Sequence, residues 1–273
     1  MATVRLTMSQ ALTRWMTAQS IEQLDGSIEP AFAGVWAIFG HGNVAGLGEA
    51  LYGVRDQLPT YRGHNEQSMA HIAIAYAKQK QRRRMMAVTT SIGPGATNLA
   101  TAAALAHVNR LPVLLLPGDV FATRAPDPVL QQVESFADGT VSANDCLRPI
   151  SRYFDRITRP EQLLQALPKA MSVLTDPADC GPVTLGLCQD VQAEAWDYPE
   201  SFFAPRVWHI RRISPDAAEL SRAIEILKSA KRPMIVAGGG VRYSGASQAL
   251  TAFADAAGIP VAATQAGKSS LVE

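Results

Sequence analysis

Arg84-Met85-Met86-Ala87-Val88-Thr89-Thr90-Ser91-Ile92-Gly93-Pro94-Gly95-Ala96-Thr97-Asn98 is the stretch whose reading decides the fold. Arg84 to Thr89 is a short apolar run and reads as a buried strand. Ser91 to Gly95 carries the small and helix-breaking residues of a tight turn. The Ala-rich segment Thr97 to His107 then reads as a helix. Beyond it, Pro112-Val113-Leu114-Leu115-Leu116 is another uninterrupted apolar strand, stopped by Pro117-Gly118. The same alternation runs upstream, with a strand over Val35 to Phe39, a turn at Gly40-His41-Gly42-Asn43 and a helix over Val44 to Leu58. Downstream it gives a helix over Pro160 to Leu174 and a strand over Pro182 to Leu187. Strands that are apolar on both sides, separated by helices, predict an α/β fold: a parallel sheet covered by helices on both faces.

This pattern assigns residues 1–196 to a first domain. Residues 197–215, rich in Pro and aromatic residues and without helical or strand period, read as a linker. Residues 216–273 begin a second α/β domain. Its elements are a helix over Asp216 to Ala230, a strand over Pro233 to Ala237, the turn Gly238-Gly239-Gly240, a helix over Ser247 to Ala257 and a strand at Pro260-Val261-Ala262-Ala263. A unit this short is too small for a complete doubly wound sheet, so the chain reads as truncated. The irregular stretch from Gly118 to about Asn144 is long enough to read as a functional loop.

Among the 273 residues, 25 Lys and Arg face 24 Asp and Glu, so no global field recruits nucleic acid or an acidic membrane. The basic run Arg82-Arg83-Arg84 reads as a solvated helix end. Three cysteines without a CxxC pair argue against a disulfide framework or a structural zinc site. Arg5 and Arg14 interrupt any signal-peptide core, and no apolar run reaches the roughly 20 residues of a membrane span. The expectation is a soluble, cytoplasmic protein. Near the N-terminus, Thr7-Met8-Ser9-Gln10 has the form of a capping box.

Glu66 stands out chemically. It opens an Ala-rich helix on the same face as Met69, Ala70, Ala73, Tyr76 and Ala77. An acid aligned with an apolar face is costly unless something uses it. The plainer account, an exposed acid favouring the helix dipole beside an Asn65 cap, explains that alignment less well. Ser91 to Asn98 lies between strand and helix, where backbone N–H groups point out of the carboxyl edge of the sheet and small residues let a ligand approach. A simple βα turn capped by Thr97 or Asn98 reads about as well on its own. Gly40-x-Gly42-x-x-Ala45 matches a loose dinucleotide fingerprint but lacks the acidic partner about 20 residues on. None of His41, His64, His71, His107 and His209 has metal-ligand spacing, so no metal site is predicted in the chain.

Taken in order, Phe39-Gly40-His41-Gly42, Gly63-His64-Asn65-Glu66 and Thr90-Ser91-Ile92-Gly93-Pro94-Gly95-Ala96-Thr97-Asn98 resemble the pyrimidine-binding domain of thiamine diphosphate enzymes of the acetohydroxyacid synthase and decarboxylase type. The resemblance runs from about residue 6 to the end. The linker and Gly238-Gly239-Gly240 look like the start of that family's central domain. Further stretches are similar to a branch of the family that opens a polyhydroxylated cyclic diketone by C–C hydrolysis in inositol catabolism. They are Gly40-His41-Gly42-Asn43, Gly63-His64-Asn65-Glu66-Gln67, Ala106-His107-Val108-Asn109-Arg110, Asp119-Val120-Phe121-Ala122-Thr123-Arg124 and Asp176-Pro177-Ala178-Asp179-Cys180-Gly181-Pro182.

The resemblance implies thiamine diphosphate as cofactor, with Glu66 catalytic and bonded to the pyrimidine ring. It implies Glu66, Gly42, Asn43, Ser91, Gly93, Gly95 and Asn98 around the cofactor. His41, Asn43 and Gln131 are the candidates for the substrate, a small cyclic diketone opened to 5-deoxyglucuronate. Mg²⁺ and the cofactor diphosphate belong to a C-terminal domain with a Gly-Asp-Gly motif, which these residues lack. The family builds its sites between subunits, so a homodimer or homotetramer is expected of the full-length protein, and inactivity of this chain alone. The competing readings are a carboligase or decarboxylase of 2-oxo acids, and a non-catalytic binding module.

Overall fold

A computed structural model describes residues 2–135 and 137–271, divided into two compact units, Met1–Ile210 and Arg211–Glu273. The strands of the first unit are β1 (Thr3–Thr7), β2 (Gln19–Glu22), β3 (Ile28–Pro30), β4 (Phe32–Ile38), β5 (Thr60–Arg62), β6 (Met85–Thr90), β7 (Val113–Asp119), β8 (Tyr153–Ile157), β9 (Pro182–Cys188), β10 (Ala195–Pro199) and β11 (Arg206–Trp208). Its principal helices are α1 (Met8–Thr17), α2 (Glu66–Gln79), α3 (Ala100–Asn109) and α4 (Leu163–Leu174). Six strands form one sheet in the order β5-β4-β6-β7-β9-β8, and every neighbouring pair is parallel. Every residue of β6, β7 and β9 is buried, which requires cover on both faces of the sheet. Helices α2 and α3 pack on one another, and α1 packs on α4. The α/β expectation therefore holds.

The capping box at the start of α1 is present, with Gln10 N donating to Thr7 Oγ1 at 3.2 Å and Thr7 N to Gln10 Oε1 at 3.0 Å. Strand β7 runs past its expected stop at Pro117-Gly118. Its ladder to β9 skips Leu116 and Pro117 and resumes at Gly118, while Pro117 stands opposite Thr90 in the ladder to β6. Strand β8, not anticipated from sequence, takes the sheet edge. Its residues are only half-buried except Ile157, so it lacks the apolar run that marks a central strand.

The expected helix over Val44 to Leu58 is broken. A helical turn at Gly40–Asn43 passes into a π-helical turn at Val44–Gly48 and a short α-turn at Glu49–Gly53. The stretch expected as a linker is corrected as well. Strand β10 pairs antiparallel with β1, β11 pairs parallel with β2, and the first unit extends to Ile210. Its aromatic residues are core residues. Tyr198 is fully buried, its ring 4.9 Å from that of Trp196, and its hydroxyl donates to Pro160 O at 2.9 Å. Strands this short, buried by a few aromatic anchors, carry no readable period.

In the second unit, Asp216 caps α5 (Ala217–Ser229) by accepting from Ala218 N and Glu219 N, and α6 (Ser247–Ala257) ends at Gly258 in the left-handed region. Strands β12 (Ile235–Ala237) and β13 (Val261–Ala263) pair in parallel. The three glycines at 238–240 lead into a helical turn at Gly239–Tyr243. Among the described residues, no helix is long and apolar enough to cross a membrane.

Cys180 and Cys188 are buried and Cys146 is exposed. Burial raises the pKa of both buried thiols, so the folded chain keeps their protons at a pH where unfolded thiols, with pKa about 8.5, have begun to ionise. Their contribution to stability is whole below that pH and declines as pH rises above it. At pH 8, mass-spectrometric thiol mapping should find Cys146 labelled in the native protein and all three labelled after denaturation. Native labelling of Cys188 would contradict its burial.

Candidate active site

The carboxyl ends of β4, β5 and β6 open on one side of the sheet, where loops of parallel α/β folds gather ligands. Glu66 is the first residue of α2, behind the Asn65 cap, whose Oδ1 accepts from Ser68 N at 2.8 Å. Met69, Ala70, Ala73 and Ala77 on its face are buried, and Glu66 itself is half-buried. Its Oε2 accepts from Asn98 Nδ2 at 2.8 Å. Its Oε1 lies beside Gly95, where an added Cβ would come within 3.3 Å of it. One carboxylate oxygen is thus anchored and the other borders space kept open by a glycine.

The turn after β6 completes this wall. Gly93 adopts φ +58°, and a Cβ there would lie 2.1 Å from Gln131 O, so only glycine lets the long loop seat on the turn. Ser91 Oγ donates to Gln131 Oε1 at 2.9 Å. Gly40, at φ +53°, would drive a Cβ to 2.3 Å from Ser91 Oγ. The turns after β4 and β6 therefore touch through a glycine. The structure brings Ser91, Gly93, Gly95, Asn98, Glu66 and Gln131 together.

Beside them is a cleft of about 670 Å³, lined by Phe39, Gly40, His41 and Val44 from the β4 side and by Arg62, Gly63 and His64 from the β5 side. Nε2 of His41 is buried without a hydrogen-bond partner among the described residues. His41 lines the cleft with other atoms of the residue, since Nε2 itself is closed to solvent.

Asn43 does not meet the cleft, which corrects its place among the substrate candidates. It is fully buried, its Nδ2 donating to Thr89 Oγ1 at 2.8 Å and Thr90 O at 2.9 Å. Its Oδ1 accepts from Gln192 Nε2 at 2.8 Å, so its polar capacity is spent inside the protein. Gly42 is packed against Ile92, where a Cβ would come within 2.9 Å of Cγ2. Gln192 went unnoticed in the sequence, although polar residues directly after the strand Pro182–Cys188 were a usable signal. Among the described residues no cluster of His, Cys, Asp or Glu is placed to hold a metal ion.

Residues 33–138 match the family described as thiamine pyrophosphate enzyme, N-terminal TPP binding domain, and residues 220–273 match the central domain of the same enzymes. The chain belongs to the thiamine pyrophosphate enzymes. The N-terminal match spans every residue of the wall just described, from His41 through Glu66 to Gln131.

Over 271 residues, this thiamine pyrophosphate enzyme chain is 54% identical to 3D-(3,5/4)-trihydroxycyclohexane-1,2-dione hydrolase of Geobacillus thermodenitrificans, a match covering 99% of the chain and 42% of the relative. It is 53% identical to 3D-(3,5/4)-trihydroxycyclohexane-1,2-dione hydrolase 1 of Bacillus cereus with the same coverage. It is 52% identical to the hydrolase of that name in Bacillus subtilis, over 98% of this chain and 42% of the relative. The chain therefore spans about two fifths of the length of the curated relatives it matches.

Proposed function

We propose that this chain is the pyrimidine-binding and central-domain part of a thiamine diphosphate-dependent hydrolase that opens the ring of trihydroxycyclohexane-1,2-dione at a C–C bond in inositol catabolism. The observation that carries the reading is the state of Glu66, with Oε2 held by Asn98 and Oε1 bordering the space at Gly95. That arrangement fits the edge of a flat heteroaromatic ring carrying a nitrogen. When bound, thiamine diphosphate supplies a nucleophilic carbon and an electron sink for C–C cleavage.

This chain's residues do the rest. Glu66 holds and moves a proton at the ring nitrogen through Oε1, while Asn98 keeps the carboxylate from rotating away. Gly93 and Gly95 leave room for the ring, and Ser91 holds Gln131 over the turn. His41, which lines the cleft, and Gln131 are the contacts assigned to the substrate. Asn43 and Gly42 shape the turn without touching ligand. Mg²⁺ and the diphosphate fall to residues elsewhere in the full-length protein, which we propose works as a homo-oligomer in the cytoplasm. The names of relatives that are 52–54% identical support the dione as substrate.

The test is consumption of the dione and of pyruvate by the purified full-length protein with thiamine diphosphate and Mg²⁺. Ring-opened acid from the dione, with pyruvate untouched, is the expected result. Turnover of pyruvate alone would replace this reading with a 2-oxo acid carboligase or decarboxylase.

A further inference from the structure

Gln192 lies just beyond β9 and is 1% exposed, yet its side chain reaches across to the turn after β4. Nε2 donates to Asn43 Oδ1 at 2.8 Å, Gly42 O at 3.1 Å and Leu187 O at 3.3 Å, and Oε1 accepts from Leu47 N at 3.1 Å. A Cβ on Gly46 would lie 2.6 Å from both Cβ and Oε1 of Gln192, so the glycine is what admits the amide. Where it enters, the backbone over Val44–Gly48 widens into a π-helical turn. Such turns form where a group inserts into the helical ladder. Asn43 passes the hold on to Thr89 and Thr90 at the end of β6.

One amide therefore ties the ends of β9, β4 and β6 together, on the turn that carries His41 into the cleft. Among the described residues it makes no hydrogen bond with α2, Asn98 or Gly95, the elements that hold Glu66. We propose that Gln192 is a positioning residue for the substrate side of the site: it fixes the Gly40–Gly48 turn and with it His41, and it leaves the proton chemistry at Glu66 alone. This deepens, and rests on, the function proposed above.

The test uses the full-length protein and two variants. Gln192→Met removes the amide at similar volume. Gly46→Ala keeps the glutamine but pushes its side chain out of the turn, while alanine itself favours helix. Three measurements are compared with the parent: amide hydrogen exchange by mass spectrometry over residues 40–48 and 61–70 without substrate, hydrogen–deuterium exchange at C2 of bound thiamine diphosphate, and kcat/KM for the dione.

Both variants should exchange residues 40–48 about tenfold faster or more and leave residues 61–70 at the parental rate. Their kcat/KM for the dione should fall about 10- to 100-fold, while C2 exchange stays within about twofold. Unchanged protection of residues 40–48 in both variants overturns the proposal, as does a loss at C2 equal to the loss in kcat/KM. A parent that ignores the dione defeats the assigned substrate, and the amide-exchange comparison then still decides whether Gln192 holds the turn.

Discussion

Glu66→Gln in the full-length protein should lower kcat by about 10²- to 10⁴-fold, the range for a positioned proton-transfer group, and leave the fold intact. The two side chains have the same shape, and the amide oxygen of glutamine can still accept from Asn98 Nδ2. The cap of α2 rests on Asn65 and Ser68, which the substitution does not touch. What is lost from the fold is one negative charge in the first turn of a helix, worth about 0.3–1 kcal/mol. For a unit the size of Met1–Ile210 that is a fall in Tm of roughly 1–4 °C. Glutamine cannot exchange the proton that the carboxylate carries, so hydrogen–deuterium exchange at C2 of the bound cofactor should slow with kcat. Turnover within about threefold of the parent would remove Glu66 from the chemistry, since proton transfer contributes far more than that.

Asp119→Ala should be among the most damaging single changes to stability outside the apolar core. Asp119 ends β7 with a side chain 0% exposed, and Arg156 from β8 meets it with Nε 2.9 Å from Oδ2. Ser142 Oγ donates to the same oxygen at 2.9 Å and Val120 N donates to Oδ1 at 2.8 Å. Burial opposes the charge on Arg156, but the Asp119 carboxylate overrides it and raises the arginine's pKa above its ordinary value. Removing the carboxylate strands a guanidinium that is 22% exposed, together with two donors.

Breaking a buried pair costs about 3–5 kcal/mol, and the partial exposure of Arg156 places this case near 3. The expected fall in Tm is roughly 6–12 °C. Arg156→Leu strands the fully buried partner instead and should cost more. The double variant should recover part of the loss, since no charge is left unpaired. Thermal melts of the three variants measure all of this. Equal losses in both single variants, with no recovery in the double variant, would show that packing, not charge, holds this end of the sheet.

The sheet was legible because its strands are buried on both faces. Val113 to Leu116 can hardly be anything other than an interior strand, and the turns after β4 and β6 carry the glycines that close approach demands. Glu66 could be singled out as a candidate for a related reason: a carboxylate in register with Met69, Ala70, Ala73 and Ala77 conflicts with its own neighbourhood, and such conflicts concentrate at working sites. The edge and the aromatic strands were not legible. Strand β8 and the pairs β1–β10 and β2–β11 draw their stability from partners up to about 190 residues away, through anchors such as Tyr198 and Trp208.

By itself the sequence determined the local terms: which runs must be buried, where the backbone must turn, where α1 and α2 begin, and which acid sits on an apolar face. Those terms depend on residues within one or two helical turns of each other. Only the tertiary structure decided what Asn43 does, why the helix after it is broken, and that Gln192 and Asp119 matter. Each of those outcomes rests on a hydrogen bond or ion pair between distant segments. The physical reason is that a polar side chain's role is set by which groups satisfy it when water is excluded, and the fold alone chooses those groups.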